Sequence, residues 1–289
     1  MTRTGAAPAP RGDFVDLGGR RLHVVHAGPA GATPLVLLEA GSFGFSADWG
    51  VVQEKLAALG ARSLAYDRAG MGLSDPGPAP RDGLAIVADL EKLLETLGEY
   101  GPFVLVGHSM AGLHVHLFAG RNPAKVAGLV LVDAVTPTVA VDIAVRQGAA
   151  QYVRLSRAAA WAASKGLLRA ISPLGDQIGL TAEVAPHKRW AFGHPAHNRT
   201  AADEVIQWDA TVAQAAEAGP LDPRWPVVVV TAGPAPMYLK PRAIQADPAW
   251  KARLGYVENV RAANHASLIG RRHADVVVKA IDFVRKAAA

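Results

Sequence analysis

A serine set in FVLVGHSMAGLHVHLFAG, residues 103–120, carries the strongest chemical signal in the chain. The run reads as a buried-type strand, a sharp turn at Gly107-His108-Ser109-Met110-Ala111, and then a helix. A serine on such a strand-to-helix elbow is held in a strained backbone conformation. Its hydroxyl then projects above the carboxyl edge of the sheet, over a helix N-terminus. Strand and helix approach closely there, so small residues are needed two before and two after the serine. The first is Gly107; the second is Ala111, where glycine is the usual residue. A serine hydroxyl is a poor nucleophile near neutral pH. It needs an imidazole to take its proton and later hand it to the leaving group, and ten histidines compete for that role.

The elements that must position this chemistry are legible as short Val/Leu-rich runs alternating with helix-period segments, the pattern of a parallel sheet covered on both faces. FVDL from Phe14 and RLHVVH from Arg21 form an opening hairpin across Gly18-Gly19. Six further strands follow: PLVLLE from Pro34, RSLAY from Arg62, FVLVG from Phe103, VAGLVLV from Val126, PVVVVT from Pro226 and YVENVRA from Tyr256. Ile86, Leu90, Leu93 and Leu97 recur at helical spacing after Asp82, as do Val277, Ile281 and Val284 near the C-terminus. From about Pro137 to Pro220 the strand–helix rhythm stops. The reading is therefore a core of residues 13–136 and 221–289, a helical cap of residues 137–220 inserted after the sixth strand, and a flexible N-terminus of residues 1–12.

Bulk properties narrow the function classes. The chain has 289 residues, half of them hydrophobic and 19% charged, which suits one globular α/β unit with an insertion. The net charge of +5 comes from scattered Lys and Arg with no dense basic run, so no nucleic-acid partner is expected. There is no cysteine, no apolar leader and no uncharged apolar run of membrane-spanning length, which predicts a cytoplasmic protein without a membrane partner; a monomer or homodimer is expected.

LLEAGSFGFSADW, YDRAGMGLSDPGP, LVGHSMAG and LVLVDAVTP together resemble the α/β-hydrolase fold family, in its bacterial serine esterase-like branch, over nearly the whole chain. The resemblance implies a mostly parallel eight-stranded sheet and a Ser-His-Asp triad. His265, in AANHASLIG after the last strand, stands where this family carries its catalytic histidine, with Asn264 before it in place of the common glycine. For the acid, the loop after the seventh strand offers no carboxylate until Asp247, whereas Asp133 ends the sixth strand, the family's other location. Asp133 is the preferred acid and Asp247 the alternative; Asp222 lies at the wrong end of its strand and is read as a turn residue. The acid would orient His265 without taking its proton. The implied oxyanion donors are the backbone N–H groups of Met110 and Ser42, with Phe43 replacing Ser42 if the register is off by one.

These residues predict a serine hydrolase that cleaves carboxylic esters of small or medium, partly hydrophobic substrates through an acyl-enzyme, without metal or cofactor. The same triad would serve a lactonase, amidase, carbon–carbon bond hydrolase or acyltransferase, and a non-catalytic ligand-binding homologue is the reading from another class. A serine in place of a carboxylate nucleophile argues against haloalkane dehalogenase and epoxide hydrolase chemistry. His108 is read as packing or pocket wall and His273 as surface. His114 and His116, two apart on a helix, cannot share a face as a metal pair. His187, His194 and His197 are expected at the surface of the insertion. Asp67 and Arg68 are expected to brace the loop after the fourth strand. Trp161, Trp190 and Trp208 either hold the insertion together or line its pocket.

Overall fold

The computed structural model describes residues 6–169, 171, 176, 178–234 and 240–288. Of the flexible N-terminus expected over residues 1–12, residues 1–5 lie outside the described residues. All eight strands form within a residue or two of their expected positions: β1 (Asp13–Asp16), β2 (Arg21–Ala27), β3 (Leu35–Ala40), β4 (Ser63–Tyr66), β5 (Phe103–His108), β6 (Val126–Val132), β7 (Val227–Ala232) and β8 (Gly255–Val260). They make one sheet in the order β1-β2-β4-β3-β5-β6-β7-β8. β2 is antiparallel to β1 and β4, and every later pair is parallel.

β3, β4, β5 and β7 are buried along their whole length, which explains their near-continuous Val/Leu runs: both faces of a parallel sheet are covered. One face carries α1 (Gly50–Ala58) and the C-terminal helix α10 (Ala274–Ala287), whose Val277, Ile281 and Val284 are fully buried. The other carries α2 (Gly83–Thr96) and α3 (Ala111–Arg121). α2 starts where its sequence says it should, because the Asp82 side chain accepts a hydrogen bond from Ala85 N–H at 3.0 Å and satisfies one of the orphan donors of the first turn.

Between β6 and β7 lie α4 (Pro137–Ala140), α5 (Ile143–Ser164), α6 (Ala185–Gly193), α7 (Pro195–Ile206) and α8 (Trp208–Glu217). α8 is fastened to the start of α2: Gly83 N–H donates to Thr211 Oγ1 and Leu84 N–H to Gln214 Oε1, each at 3.0 Å. After β7, α9 (Lys240–Lys251) leads to β8. No helix among the described residues is long and apolar enough to cross a membrane.

The strand order reverses between β3 and β5. β3 leads to β4 on one side and β5 leads to β6 on the other, so the two connections diverge at the carboxyl edge and leave a crevice there. The segments that line it are the loop after β3 and the elbow after β5.

Candidate active site

Three non-glycine residues have positive φ among the described residues: Ser42 at 52°, Ser109 at 63° and Asp133 at 42°. Such conformations cost energy for residues with a Cβ and persist where surrounding bonds over-determine them. All three follow strands at the carboxyl edge, after β3, β5 and β6. Ser109 is held by its backbone, its N–H donating to Val132 O at 3.2 Å and its carbonyl accepting from Gly112 N–H at 3.1 Å and Val135 N–H at 2.9 Å.

The elbow's small residues are accounted for by approach distances. A Cβ on Gly107 would lie 2.8 Å from Val115 Cγ2 and 2.9 Å from Ala111 O, and one on Gly41 would lie 2.6 Å from the backbone nitrogens of both Met110 and Ala111. The side chain of Ala111 is fully buried. The loop after β3 is thus pressed against the N-terminus of α3. Gly41 N–H donates to His108 O at 3.1 Å, and the N–H groups of Ser42 and Met110 have no acceptor among the described residues.

His265 follows β8 and reaches back across the sheet edge. Its Nδ1–H donates to Asp133 Oδ2 at 2.7 Å. Asp133 Oδ1 accepts from Ala232 N–H at 3.3 Å and from Gln245 Nε2 at 3.2 Å, with Arg242 Nη1 3.6 Å away. Burial opposes ionisation of Asp133, but its bonds to His265, Ala232 and Gln245 outweigh that and hold the carboxyl below its usual range. An ionised carboxylate only accepts, so the proton of a neutral His265 sits on Nδ1 and Nε2 is left as a base. Asp247 is elsewhere, on α9, paired with Lys251 at 2.7 Å.

Ser109, His108, Ser42 and His265 line one cavity of about 480 Å³ whose other walls include Phe43, Tyr152, Leu155 and Phe192. Ser109 and His265 both line this cavity and are not hydrogen-bonded to each other. His108, the expected wall, also grips the histidine: its ring stacks on that of His265 at 4.5 Å, and its Nε2–H donates to His265 O at 3.0 Å.

None of the three tryptophans of the insertion lines this cavity. Trp161 is exposed, Trp190 stacks on His194, and Trp208 packs on the core. The cavity's unanticipated polar residues include Asp48, Lys188, His197 and Asn198. Asp48 falls within the LLEAGSFGFSADW segment, but no motif marks Lys188, His197 or Asn198, which come from α6 and α7 and meet it only after folding. The surface placement expected for the histidines of the insertion is corrected for His187 and His197, which are buried. α7 turns His197 inward, where its Nδ1 accepts from Gly72 N–H at 3.0 Å. Asp67 and Arg68 do brace their loop: Asp67 accepts from Ser46 and Leu73 N–H groups and pairs with His23, and Arg68 is buried against Glu39 and Glu204. No group of three or more His, Asp or Glu among the described residues is arranged to hold a metal ion.

The pKa values of His108 and His197 are both pushed down to about 3, first by burial and second by neighbouring positive charge, His265 for one and Lys188 for the other. Both are neutral in the folded protein, whereas in the unfolded chain they gain protons below about 6.5. Unfolding between those limits therefore takes up a proton at each of these two histidines, and stability falls on acidification by about 1.4 kcal/mol per pH unit for each. Asp48, whose carboxyl is raised by burial, acts in the opposite sense with a single proton. The melting temperature is expected to drop steadily from pH 6.5 to 4, and less steeply in His197→Gln. A flat profile over that range in the wild type would contradict the assignment.

Residues 33–165 match the family model of the alpha/beta hydrolase fold. An AB hydrolase superfamily protein of Gibberella zeae is 33% identical over 104 residues, 35% of this chain and 32% of that protein. Epoxide hydrolase 4 of Mus musculus is 30% identical over 136 residues, 45% of this chain and 36% of that protein. The chain thus spans about a third of the length of these curated relatives. The crystal structure of Cfl2 from Burkholderia cenocepacia superposes with a TM-score of 0.75 at 22% identity, covering 96% of this chain and all of that one. With its sheet order and matched segment, the chain has the α/β-hydrolase fold.

Proposed function

We propose that the chain is a serine hydrolase acting on carboxylic esters through an acyl-enzyme on Ser109, with residues 137–220 as the cap over its site. The observation that carries this reading is the convergence on one cavity of Ser109 at its elbow, His265 with Nδ1 committed to Asp133, and Ser42, with the Met110 N–H in the residue next to Ser109. In this mechanism His265 Nε2 takes the Ser109 proton as Oγ attacks the ester carbonyl. The N–H groups of Met110 and Ser42 receive the developing oxyanion. Collapse of the tetrahedral intermediate breaks the bond to the alcohol, which leaves with the proton from His265. Water, deprotonated by the same nitrogen, then cleaves the acyl-enzyme. Asp133 stays ionised and steadies the imidazolium. The apolar walls favour an ester with a hydrophobic acyl or alcohol part. The relative named as an epoxide hydrolase matches less than half of this chain, and a serine, not a carboxylate, occupies the nucleophile position here.

A fluorophosphonate probe tests the reading directly. The wild type is expected to be labelled at Ser109 and to hydrolyse p-nitrophenyl butyrate, while Ser109→Ala is neither labelled nor active. An unlabelled wild type, or equal labelling of Ser109→Ala, would remove the serine hydrolase assignment.

A further inference from the structure

Four successive carbonyls in the loop after β3 all point at donors. Ala40 O and Ser42 O both accept from Arg68, the second at 2.8 Å. Gly41 O accepts from Gly44 N–H at 2.8 Å. Phe43 O accepts from two groups of the insertion, Lys188 Nζ on α6 at 3.0 Å and His197 Nε2 on α7 at 3.2 Å. The peptide unit is planar with its C=O and N–H opposed, so each held carbonyl fixes the direction of the following N–H. The Gly41 carbonyl thereby sets the Ser42 N–H, and the peptides on either side are set by Arg68.

Each anchor is itself held firmly. His197 Nδ1 accepts from Gly72 N–H, so its proton sits on Nε2, facing Phe43 O. Lys188 is paired with the buried Asp48 at 2.8 Å. Arg68 is gripped by Glu204 of α7, its Nε 3.0 Å from Oε1 and its Nη2 2.8 Å from Oε2. Three of the four carbonyls therefore depend on α6 and α7, either directly or through Arg68. Ser42, between them, has a φ of 52°, a conformation that relaxes when its neighbours are released.

We propose that α6 and α7 of the insertion are a positioning device for the oxyanion site: Lys188 and His197, with Glu204 acting through Arg68, aim the Ser42 N–H at the reacting carbonyl. The inference rests on the serine hydrolase reading above. An insertion of this kind does more than cover the substrate. It completes the donor geometry, so a loosened cap lowers transition-state stabilisation even where substrate still binds. An oxyanion donor acts only within a narrow range of the developing charge, so a small rotation of this peptide is felt in kcat more than in KM.

The test uses the full chain with Lys188→Met and His197→Phe, and Lys188→Arg and His197→Gln as variants that keep a donor. Arg68 is avoided because its loss would strand two carboxylates in the interior, Glu39 and Glu204, whereas Lys188→Met leaves one, Asp48, which can take up a proton. Steady-state turnover of p-nitrophenyl butyrate, inhibition by phenylboronic acid, which forms a tetrahedral adduct on a serine, and thermal melts are measured together. Lys188→Met and His197→Phe are expected to remain folded at the assay temperature and to lose about 10- to 100-fold in kcat with KM changed less than about threefold. Phenylboronic acid binding should weaken in parallel, and the donor-keeping variants should recover most of the loss. Unchanged kcat in both folded variants, or a change confined to KM, overturns the proposal while leaving the hydrolase reading intact. A wild type that neither turns over ester nor reacts with fluorophosphonate overturns both.

Discussion

Ser109→Gly is expected to abolish ester turnover and yet to make the protein more stable. The hydroxyl is the proposed nucleophile, and removing it leaves at most what the oxyanion donors and substrate binding supply, a loss of roughly 10⁴- to 10⁶-fold in kcat. The stability change has a separate origin. Ser109 has a φ of 63° and is pinned there by hydrogen bonds to Val132, Gly112 and Val135. A left-handed conformation costs a residue with a Cβ about 1–2 kcal/mol, and glycine escapes it. The greater freedom of glycine in the unfolded chain offsets part of this, by about 0.5–1 kcal/mol. The net gain of up to about 1 kcal/mol corresponds to a rise of about 2–4 °C in melting temperature. Thermal melts of both proteins check it. A lower melting temperature for Ser109→Gly would mean that the elbow is not strained, and retained turnover would mean that Ser109 is not the nucleophile.

Asp133→Asn carries the second large effect. The carboxylate accepts from His265 Nδ1 and so keeps Nε2 free as a base. An asparagine can turn its amide NH₂ toward Nδ1, which drives the histidine proton onto Nε2, the atom that must receive the proton of Ser109. A loss of about 10⁴-fold in kcat is expected from such a tautomer error, with the fold intact because Asn is nearly isosteric. The Oδ1 side can still accept from Ala232 N–H and Gln245. Asp247→Asn, which removes only the ion pair with Lys251, is expected to match the wild type. Equal kinetics for Asp133→Asn and wild type would leave His265 without its acid and return Asp247 to consideration.

The acid shows how far a one-dimensional reading reaches. In the sequence Asp133 and Asp247 differ only in position relative to strands, and nothing there measures which carboxylate a loop from β8 can touch. Folding adds the contact: β6 is separated from β8 only by β7, which brings the end of β6 within reach of His265. The histidines of the insertion failed for a related reason. A polar residue on a short amphipathic helix reads as surface, yet α7 packs its His197 inward because a backbone donor at Gly72 and a carbonyl at Phe43 wait there.

The strands, the elbow that carries Ser109 and the two packing helices can be read from consecutive residues. These are local matters: strand burial, helical period, the N-cap at Asp82 and the glycines of tight approach leave their marks in consecutive residues. Tertiary structure alone decided the partners across the site. The stacking of His108 on His265, the grip of Glu204 on Arg68 and the meeting of Lys188 and His197 at Phe43 O each join residues more than a hundred positions apart. Polar contacts of this kind are specified by geometry over a few ångströms, and the spacing of residues along the chain holds no record of it.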